Sequence, residues 1–393
     1  MKAVNLGVTI CLLMGVAERG AAQNLMDRLT APFRSEPHIT MGSVAPGGGI
    51  SGGIGYSPKP YSKGRLFISA RALGSQKQYW TLEAGVAFQS ANRFRVEAFG
   101  RGRRMTQLPF FGIGPQAMES SETSFLLLDR SAGVLAWVRP HPSFAVGSRL
   151  EGLWPRVGRG RNADLPSIEQ RFNEASAPGV TAQPSFSRYQ AFVDINYPTG
   201  ANVQARQGGD VEIGYNVYHD NSGGRYSFRR FNAEARQRFM VLGVDRKLTL
   251  HGLISTATTA AGHDVPFYLQ PTLGGASNLL AFHESPIGGD ETVATLRGVR
   301  NFRFRDRDLI LGQIEFRQKL PRPLGLLDVG AFIDVGKVGH AWGDLNLSQG
   351  VKHSFGLSLS LMRGTATIAR FDLGFGAGEG THGFLTPGRV IGR

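Results

Sequence analysis

The chain has 393 residues and a formal net charge of +14, with 53 glycines, 25 phenylalanines and one cysteine. Glycine at about 13%, against a usual ~7%, favours many twisted strands and tight turns over long helices. After the N-terminus no run approaches the ~18 apolar residues of a membrane-spanning helix, so a membrane crossing would require a closed barrel. The basic charge belongs to no recognised nucleic-acid-binding module. Nucleic acid is therefore not expected as a partner, and lipid phosphate is the better counter-charge.

The N-terminus has the pattern of a secretory signal peptide. Lys2 forms the basic region, residues 6–16 form the apolar region, and small residues precede a cleavage site before Gln23. The only cysteine, Cys11, lies inside this signal, so the mature chain is expected to lack disulfides and thiol chemistry. We predict three parts: a signal peptide at 1–22, a short periplasmic segment at 23–37, and an outer-membrane β-barrel at 38–393.

From residue 38 onward, polar and apolar residues alternate with a period of two. The alternation is clear at 189–197, 231–239, 312–320 and 354–361. Period two places the two sets of side chains on opposite faces of a sheet. A soluble sandwich would also alternate, but repeated strands of roughly 10–16 residues with aromatic ends are typical of a transmembrane barrel with a polar lumen.

The pattern predicts sixteen antiparallel strands that form this barrel. Their predicted bounds are 38–44, 48–57, 64–73, 78–89, 92–104, 122–138, 143–153, 187–197, 208–219, 226–240, 246–257, 308–320, 324–336, 350–363, 365–376 and 382–391. The long connections 105–121, 154–186 and 258–307 all follow odd-numbered strands. With both chain ends periplasmic, these connections would face outward, which is the asymmetry of outer-membrane barrels.

Catalytic and metal-binding patterns are weak in this sequence. The glycine-rich stretch 47–53 fits both G-x-G-x-x-G and G-x-S-x-G, but these motifs need a strand, a turn and a helix, and no helical period follows. Close strand packing explains those glycines better. The nine histidines have no metal-binding spacing, and no paired carboxylates suited to hydrolysis occur. We therefore predict no enzyme activity, no metal and no cofactor.

The stretch 266–336 carries the most specific pattern. It begins PFYLQPTLGG, contains LRGV at Leu296–Val299, and continues with IEFR at Ile314–Arg317 and FIDVG at Phe332–Gly336. A long glycine-rich loop with a central arginine is thus followed by two strands, each with one carboxylate on its polar face. This arrangement can hold a cation inside a closed β-barrel.

These motifs resemble those of the BamA/TamA-type outer-membrane assembly and translocation barrels, the bacterial surface antigen family. LRGV is similar to the family's [V/L]RG[F/Y] loop, and PFY at Pro266–Tyr268 and LGG at Leu273–Gly275 precede it at family-like spacing. Glu315 matches the carboxylate of the next strand. RFDLGFG at Arg370–Gly376 resembles the penultimate strand, and FFGIGP at Phe110–Pro115 resembles a loop of smaller members. The family's F-x-D-x-G motif falls on Phe332, Asp334 and Gly336.

The resemblance implies that the long loop folds back into the lumen and that Arg297 pairs with Asp334 and Glu315 on the inner wall. A guanidinium stays charged and offers five donors in a fixed fork, which suits two carboxylates on neighbouring strands. Gly298 would let the backbone turn closely at the loop tip. The structural residues of the motif are Leu296, Phe332, Gly336, Gly274 and Gly275.

The chain also departs from the family pattern. Family assembly factors carry periplasmic polypeptide-transport-associated domains before the barrel, and this chain is expected to be a barrel-only member. Val299 stands where an aromatic residue is usual, and the sequence ends in Gly392-Arg393 without a terminal aromatic.

The resemblance implies protein insertion or translocation at the outer membrane, with lipid, lipopolysaccharide and client polypeptides as partners of a monomeric barrel. A weak seam between the first and last strands would accept a client strand, since the regions 47–55 and 386–388 are poor ladder-formers. Three alternatives stay open: a passive pore with an anion preference set by inner arginines, a structural surface antigen, and a secreted soluble β-protein.

Overall fold

The computed structural model describes residues 37–45, 47–58, 61–90, 93–198, 208–275, 295–321, 325–363, 366–376 and 378–387. The predicted signal peptide and the segment up to residue 36 lie outside the described residues, as does Gly388 of the proposed seam. The strands are β1 (His38–Gly42), β2 (Ser51–Tyr56), β3 (Leu66–Ser75), β4 (Trp80–Ser90), β5 (Phe94–Phe110), β6 (Thr123–His141), β7 (Phe144–Leu153), β8 (Arg156–Arg159), β9 (Phe186–Pro198), β10 (Gly208–Asp220), β11 (Phe228–Met240), β12 (Arg246–Thr259), β13 (Thr272–Leu273), β14 (Phe304–Arg305), β15 (Asp308–Lys319), β16 (Leu327–Gly339), β17 (Lys352–Arg363), β18 (Ala366–Gly376) and β19 (Thr381–Pro387).

Helical structure in the described residues is confined to single turns. They are the α-helical turn Tyr61–Gly64 and the 3-10 turns Glu119–Ser121, Ile168–Gln170, Phe267–Leu269 and Trp342–Leu345. None of the helices in the described ranges has the length and apolar character needed to cross a membrane.

One large antiparallel sheet contains all the strands except β13 and β14, which pair with each other. Registered ladders join β1 to β7 in chain order, and β7 then pairs with β9. The ladders continue from β9 to β12, from β12 to β15, and onward to β19. β7 and β8 both pair with β6, so they form one long strand that is interrupted at Trp154 and Pro155. When β7 and β8 are counted as one, the sheet has sixteen strands, which we call staves. The predicted all-β architecture is confirmed.

The two faces of the sheet differ in chemistry, as the period-two pattern predicted. On β15 and β16 the apolar side chains of Ile314 and Ile333 are 50% and 55% exposed. Their sequence neighbours Glu315 and Asp334 lie on the other face and are buried. A soluble protein buries its apolar face against a core. Here the apolar face is the exposed one, and the polar face is covered by other parts of the chain.

The structure corrects several predicted bounds. β5 extends to Phe110, well into the connection predicted at 105–121, and β6 extends to His141, beyond its predicted end at 138. The connection predicted at 154–186 contributes β8, and the one predicted at 258–307 contributes the paired strands β13 and β14. These extra strands form because the long connections pair with, or pack against, the ends of the staves. Period two in one segment does not reveal such contacts.

The long connections pack together at one edge of the sheet. The ring of Phe267 lies 5.0 Å from the rings of both Phe110 and Phe125, measured between centroids. Phe172 contacts Phe110 edge to face, with the centroids 4.8 Å apart. Such edge-to-face packing of aromatic rings stabilises the contact beyond simple area burial. The three long connections therefore share one aromatic cluster.

The first and last strands are short. β1 has five residues and β19 has seven. Within the described ranges, no registered ladder joins β1 to β19. Gly53 of β2 serves close packing, because a β-carbon there would lie 1.8 Å from the carbonyl oxygen of Ala72 on β3. The stretch 47–53 thus forms a turn and part of a strand, without the helix that a phosphate-binding or nucleophile motif would need.

Candidate functional site

The loop segment 295–305 is positioned by backbone hydrogen bonds to two glycines. The N–H of Thr295 donates to the carbonyl of Gly275 at 2.7 Å, and the N–H of Phe302 donates to the carbonyl of Gly274 at 2.7 Å. Both glycines have positive φ, at +95° for Gly274 and +68° for Gly275. A β-carbon on Gly274 would lie 2.1 Å from the carbonyl oxygen of Arg300. The LGG motif therefore allows a close return of the loop that a side chain would block.

An apolar cluster holds the loop segment against the sheet. Leu296 and Val299 pack with Leu273 from β13. A β-carbon on Gly336 would approach Leu273 within 2.9 Å, so the glycine of F-x-D-x-G makes room for this leucine. Val299, where the family has an aromatic residue, is fully buried in this cluster. The remaining members are Phe304, Leu309, Leu311 and Val338.

Arg297 lies in direct contact with the two carboxylates that the resemblance would bring to it. Its Nε and Nη2 donate to Asp334 at 2.9 and 2.7 Å, and its backbone N–H donates to the same carboxylate at 2.8 Å. Its Nη1 donates to Glu315 at 2.5 Å. The Cζ atom lies 3.6 Å from the ring centroid of Phe332, which makes a cation–π contact. The arginine is therefore held by charge-assisted hydrogen bonds and by an aromatic face.

Three further charged residues complete this network, and the sequence reasoning did not assign them. Arg370 on β18 donates to Glu315 at 2.7 and 3.0 Å and to Asp372 at 2.6 Å. Arg317 lies two residues after Glu315 on β15 and also donates a hydrogen bond to it. With Arg297 and Asp334, the network contains three arginines and three carboxylates, so its formal charge is balanced. Buried charges are tolerated when they are paired and hydrogen-bonded in this way.

A sequence signal for these residues existed. Arg317 follows Glu315 by two positions, and Asp372 follows Arg370 by two, so each pair shares one sheet face. The motif RFDLGFG was noted only as a resemblance. Its Arg370 and Asp372 could have been placed on the polar face from period two alone. Their meeting with Glu315, from a strand three staves away, could not be derived.

The backbone at the loop tip adopts conformations that require special residues or strain. Gly298 has φ +126°, and a β-carbon there would lie 2.9 Å from the backbone nitrogen of Phe375. A β-carbon on Gly374 of β18 would lie 2.5 Å from the carbonyl oxygen of Arg297. Leu296 and Phe302 are non-glycine residues with φ +48° and +57°, a conformation that costs of order 1 kcal/mol each. The network therefore holds the loop in a strained conformation.

Two more arginines tie the loop segment to other connections. Arg300 pairs with Glu119 at 2.7 Å and also with Glu122, both before β6. Arg303 pairs with Glu379 in the β18–β19 hairpin, and both side chains are nearly fully buried. One segment of eleven residues thus contacts the barrel-like sheet, the connection before β6 and the last hairpin.

The geometry indicates a clamp. All six charged groups of the network face charged partners. In the part of the chain that the structure describes, no group of three His, Cys, Asp or Glu side chains could hold a metal ion. The roles assigned to Arg297, Gly298, Glu315 and Asp334 stay predictions, because contacts alone do not measure function.

The sequence matches no known family model and no curated protein sequence. The fold is nevertheless similar to solved structures. BamA from Haemophilus ducreyi lacking POTRA domains 1-3 aligns with a TM-score of 0.59 at 11% identity, covering 93% of this chain and 76% of that chain. CdiB from Escherichia coli aligns with a TM-score of 0.54 at 11% identity, covering 88% of this chain and 61% of that chain. The predicted resemblance to BamA-type proteins is confirmed at the level of the fold.

Proposed function

We propose that this chain is an outer-membrane β-barrel that aids the insertion or transport of polypeptides. In this proposal the sheet closes on itself, the exposed apolar face contacts lipid, and the segment 295–305 occupies the lumen. The chain would reach the outer membrane through the predicted signal peptide at 1–22 and act as a monomer. Its partners would be outer-membrane lipid, lipopolysaccharide and client polypeptides, and the proposal includes no enzymatic step.

The observation that carries the proposal is the clamp around Arg297 within a BamA-like fold. Arg297 reaches carboxylates on β15 and β16 and lies 3.6 Å from Asp372 on β18. β18 is the only strand with which β19 has a registered ladder in the described residues. The segment 295–305 is anchored beside β18, which pairs with β19. A shift of this segment can therefore move β19, the strand that a client would approach.

The short terminal strands support a seam that opens. β19 has a ladder of seven residue pairs with β18, whereas β1 pairs with β2 over five. An edge strand presents unpaired N–H and C=O groups, which a client strand can satisfy by β-augmentation. We therefore place client entry between β1 and β19.

The covered polar face favours this function over a passive pore. Arg297 and Asp334 are both fully buried, because the segment 295–305 lies over this face. A wide aqueous channel would leave charged side chains of the lumen in water. We infer that solute flow through the resting protein is small.

Reversible cross-linking of the seam tests the proposal. The mature sequence has no cysteine, so single cysteines can be introduced in β1 at Ile39 or Thr40 and in β19 at Phe384 or Leu385 and then joined by short bifunctional reagents. The measurement is the rate at which an unfolded outer-membrane barrel becomes protease-resistant in vesicles that contain the protein. We expect acceleration by the unmodified protein and loss of that acceleration after cross-linking.

A matched control locks two strands that should never separate. Cysteines at Ile54 and Ala72, which are register partners on β2 and β3, would be cross-linked in the same way. This lock should leave the insertion rate unchanged, and reduction should restore the seam-locked protein. Full activity with the seam locked would overturn the seam mechanism. A steady anion-selective current without any acceleration of insertion would favour the passive pore.

A further inference from the structure

A cavity of about 460 Å³ lies at the edge of the sheet where the long connections pack together. The residues that line it come from the connections that follow β5, β8 and β16 and from the one between β12 and β15. Small-molecule sites occupy ~300–1,000 Å³, so the cavity has room for a small ligand. It is separate from the clamp, because Arg297, Glu315 and Asp334 do not line it.

Backbone hydrogen bonds hold three of these connections together around the cavity. The N–H of Gly114, after β5, donates to the carbonyl of Arg305 at 2.8 Å. The N–H of Phe267, after β12, donates to the carbonyl of Pro178 at 2.8 Å. The walls of the cavity are therefore preformed, as is usual for small-molecule sites.

Part of the lining is apolar. It consists of the side chains of Ile113, Phe172, Pro178 and Val265. Ile113 and Phe172 are half-buried and pack against the main apolar core. The edge-to-face contact of Phe172 with Phe110 holds its ring in place. An apolar ligand group placed against these side chains would remove apolar surface from water, which favours binding.

Three basic side chains also line the cavity, and their contacts with carboxylates are long. They are His263, Arg307 and His340. The Nε of Arg307 lies 4.0 Å from Asp308, and the Nδ1 of His340 lies 3.6 Å from Asp306, so both distances exceed hydrogen-bond length. In the described part of the chain, the Nε of Arg307 and the Nδ1 of His263 are buried without a hydrogen-bond partner. A carboxylate that accepts from the Arg307 guanidinium would offset this cost.

The acidic residues near the cavity limit the charge of the ligand. Asp264 carries the only carboxylate among the described lining residues, and it lies 3.9 Å from Arg225, which is outside the lining. Its charge, with those of the buried Asp306 and Asp308 next to Arg307, disfavours a multiply charged anion such as phosphate. A phosphate would also leave the apolar side chains uncovered. A monoanion with an apolar body matches the lining better.

We propose that this cavity binds a small organic acid with one carboxylate and an apolar body. The carboxylate pairs with the guanidinium of Arg307, and the apolar body packs against Ile113 and Phe172. Ala175 and His340 line the cavity and are exposed, so the ligand enters from the surface of the connections. The site stands apart from the proposed insertion activity and adds a class of ligand to it.

Isothermal titration calorimetry of the full mature chain in micelles tests the proposal, with protein-free micelles as the blank. The probe is 3-phenylpropanoate, which has one carboxylate and an aromatic body. The matched compounds are 3-phenylpropanol, which has the body without the charge, and propanoate, which has the charge with little body. We expect a dissociation constant of about 1 mM or tighter for the probe. Both matched compounds should bind at least about tenfold more weakly.

Two variants locate the site, and a third is the control. R307Q should weaken binding of the probe by about tenfold or more and remove the preference for the acid over the alcohol. A175W should abolish binding, because the ring occupies the exposed side of the cavity. R159Q removes an exposed arginine of β8 that does not line the cavity, and it should keep full affinity. Unchanged thermal unfolding midpoints would show that each variant is folded.

The possible results separate the parts of the proposal. Unchanged affinity in R307Q, or equal binding of the acid and the alcohol by the unmodified protein, would overturn recognition of the carboxylate. Unchanged binding by A175W would place the acid elsewhere and overturn the cavity as its site. No heat above the blank with the probe at up to about 10 mM would overturn the proposal as a whole. Binding that persists when the insertion assay fails would keep this site and remove only the insertion activity.

Discussion

Two of the buried arginine networks on the polar face of the sheet are built differently. On β5 and β6, Arg103 donates to Asp129 at 3.0 and 2.7 Å, so the contact joins two neighbouring strands of one ladder. On β15 and β16, the carboxylates receive Arg297, which comes from the separate segment 295–305. The first network joins two neighbouring strands to each other. The second attaches a loop to the sheet.

This difference determines which network can have a second state. A strand-to-strand pair forms when the ladder forms, because adjacent strands cannot separate without losing their backbone hydrogen bonds. The loop contact can be lost while the sheet stays intact, and its backbone carries strain at Leu296 and Phe302. We infer that the loop network is the mobile part, and four changes would sharpen or contradict that comparison.

The largest effect is expected from removing one fully buried carboxylate in either network. Asp334→Ala and Asp129→Ala should each lower the free energy of unfolding by roughly 3 kcal/mol, since each leaves a buried arginine without its main partner. Only Asp334→Ala should speed amide hydrogen exchange in 295–305, because the N–H of Arg297 donates to that carboxylate. Urea unfolding in micelles and exchange mass spectrometry measure the two quantities. Equal exchange of the loop in both variants would contradict the distinction between the networks.

A smaller effect is expected from Gly374→Ala, which adds a methyl group beneath the loop. The new β-carbon would lie 2.5 Å from the carbonyl oxygen of Arg297, so the loop or β18 must shift, at a cost of about 1–3 kcal/mol. Gly312→Ala on β15 is the control, since a β-carbon there meets nothing within 4 Å. The readout is the thermal unfolding midpoint. If both variants behaved like the unmodified protein, the loop would not rest on Gly374.

Glu379→Gln should loosen the last hairpin without unfolding the sheet. It removes the charge opposite the buried guanidinium of Arg303, and we expect a loss of about 1–2 kcal/mol with faster exchange of residues 378–385. The exposed pair of Arg71 and Glu83 provides the comparison. Glu83→Gln should cost below about 1 kcal/mol, because surface ion pairs contribute little. Unchanged exchange in the hairpin would show that Arg303 does not hold it.

The smallest effect is a pH dependence at Glu122, in the connection before β6. Burial raises the pKa of this carboxyl above its ordinary value, although Arg300 beside it acts in the opposite direction. The folded protein then holds the proton more readily than the unfolded chain. The contribution of Glu122 to stability therefore falls as pH rises from the ordinary glutamate value through the raised one.

Glu122→Gln removes that titration. Unfolding free energies measured across this pH window should vary less in the variant, by up to about 1 kcal/mol. Glu169→Gln, at an exposed position in another long connection, is the matched control for the loss of one carboxylate charge. An unaltered profile in Glu122→Gln would mean that other groups cause the pH dependence.

The sequence by itself determined the class of fold and much of the candidate site. Period two identified the staves and placed Glu315 and Asp334 on the polar face, because alternation assigns side chains to faces wherever a strand forms. Gly274, Gly275 and Gly336 were identified through the family resemblance, and the structure supplies their reason: Gly274 and Gly336 make room for a close approach, and Gly275 has a positive φ. The predicted end of β5 was wrong by several residues, because its last residues are ordered by pairing with the start of β6, a contact that the local pattern does not show.

Only the tertiary structure decided which distant residues meet at the site. Period two says which face a residue occupies and leaves open which distant residues meet there. The contacts of Arg370 with Glu315 and of Arg303 with Glu379 depend on the register of several ladders and on the return path of one loop.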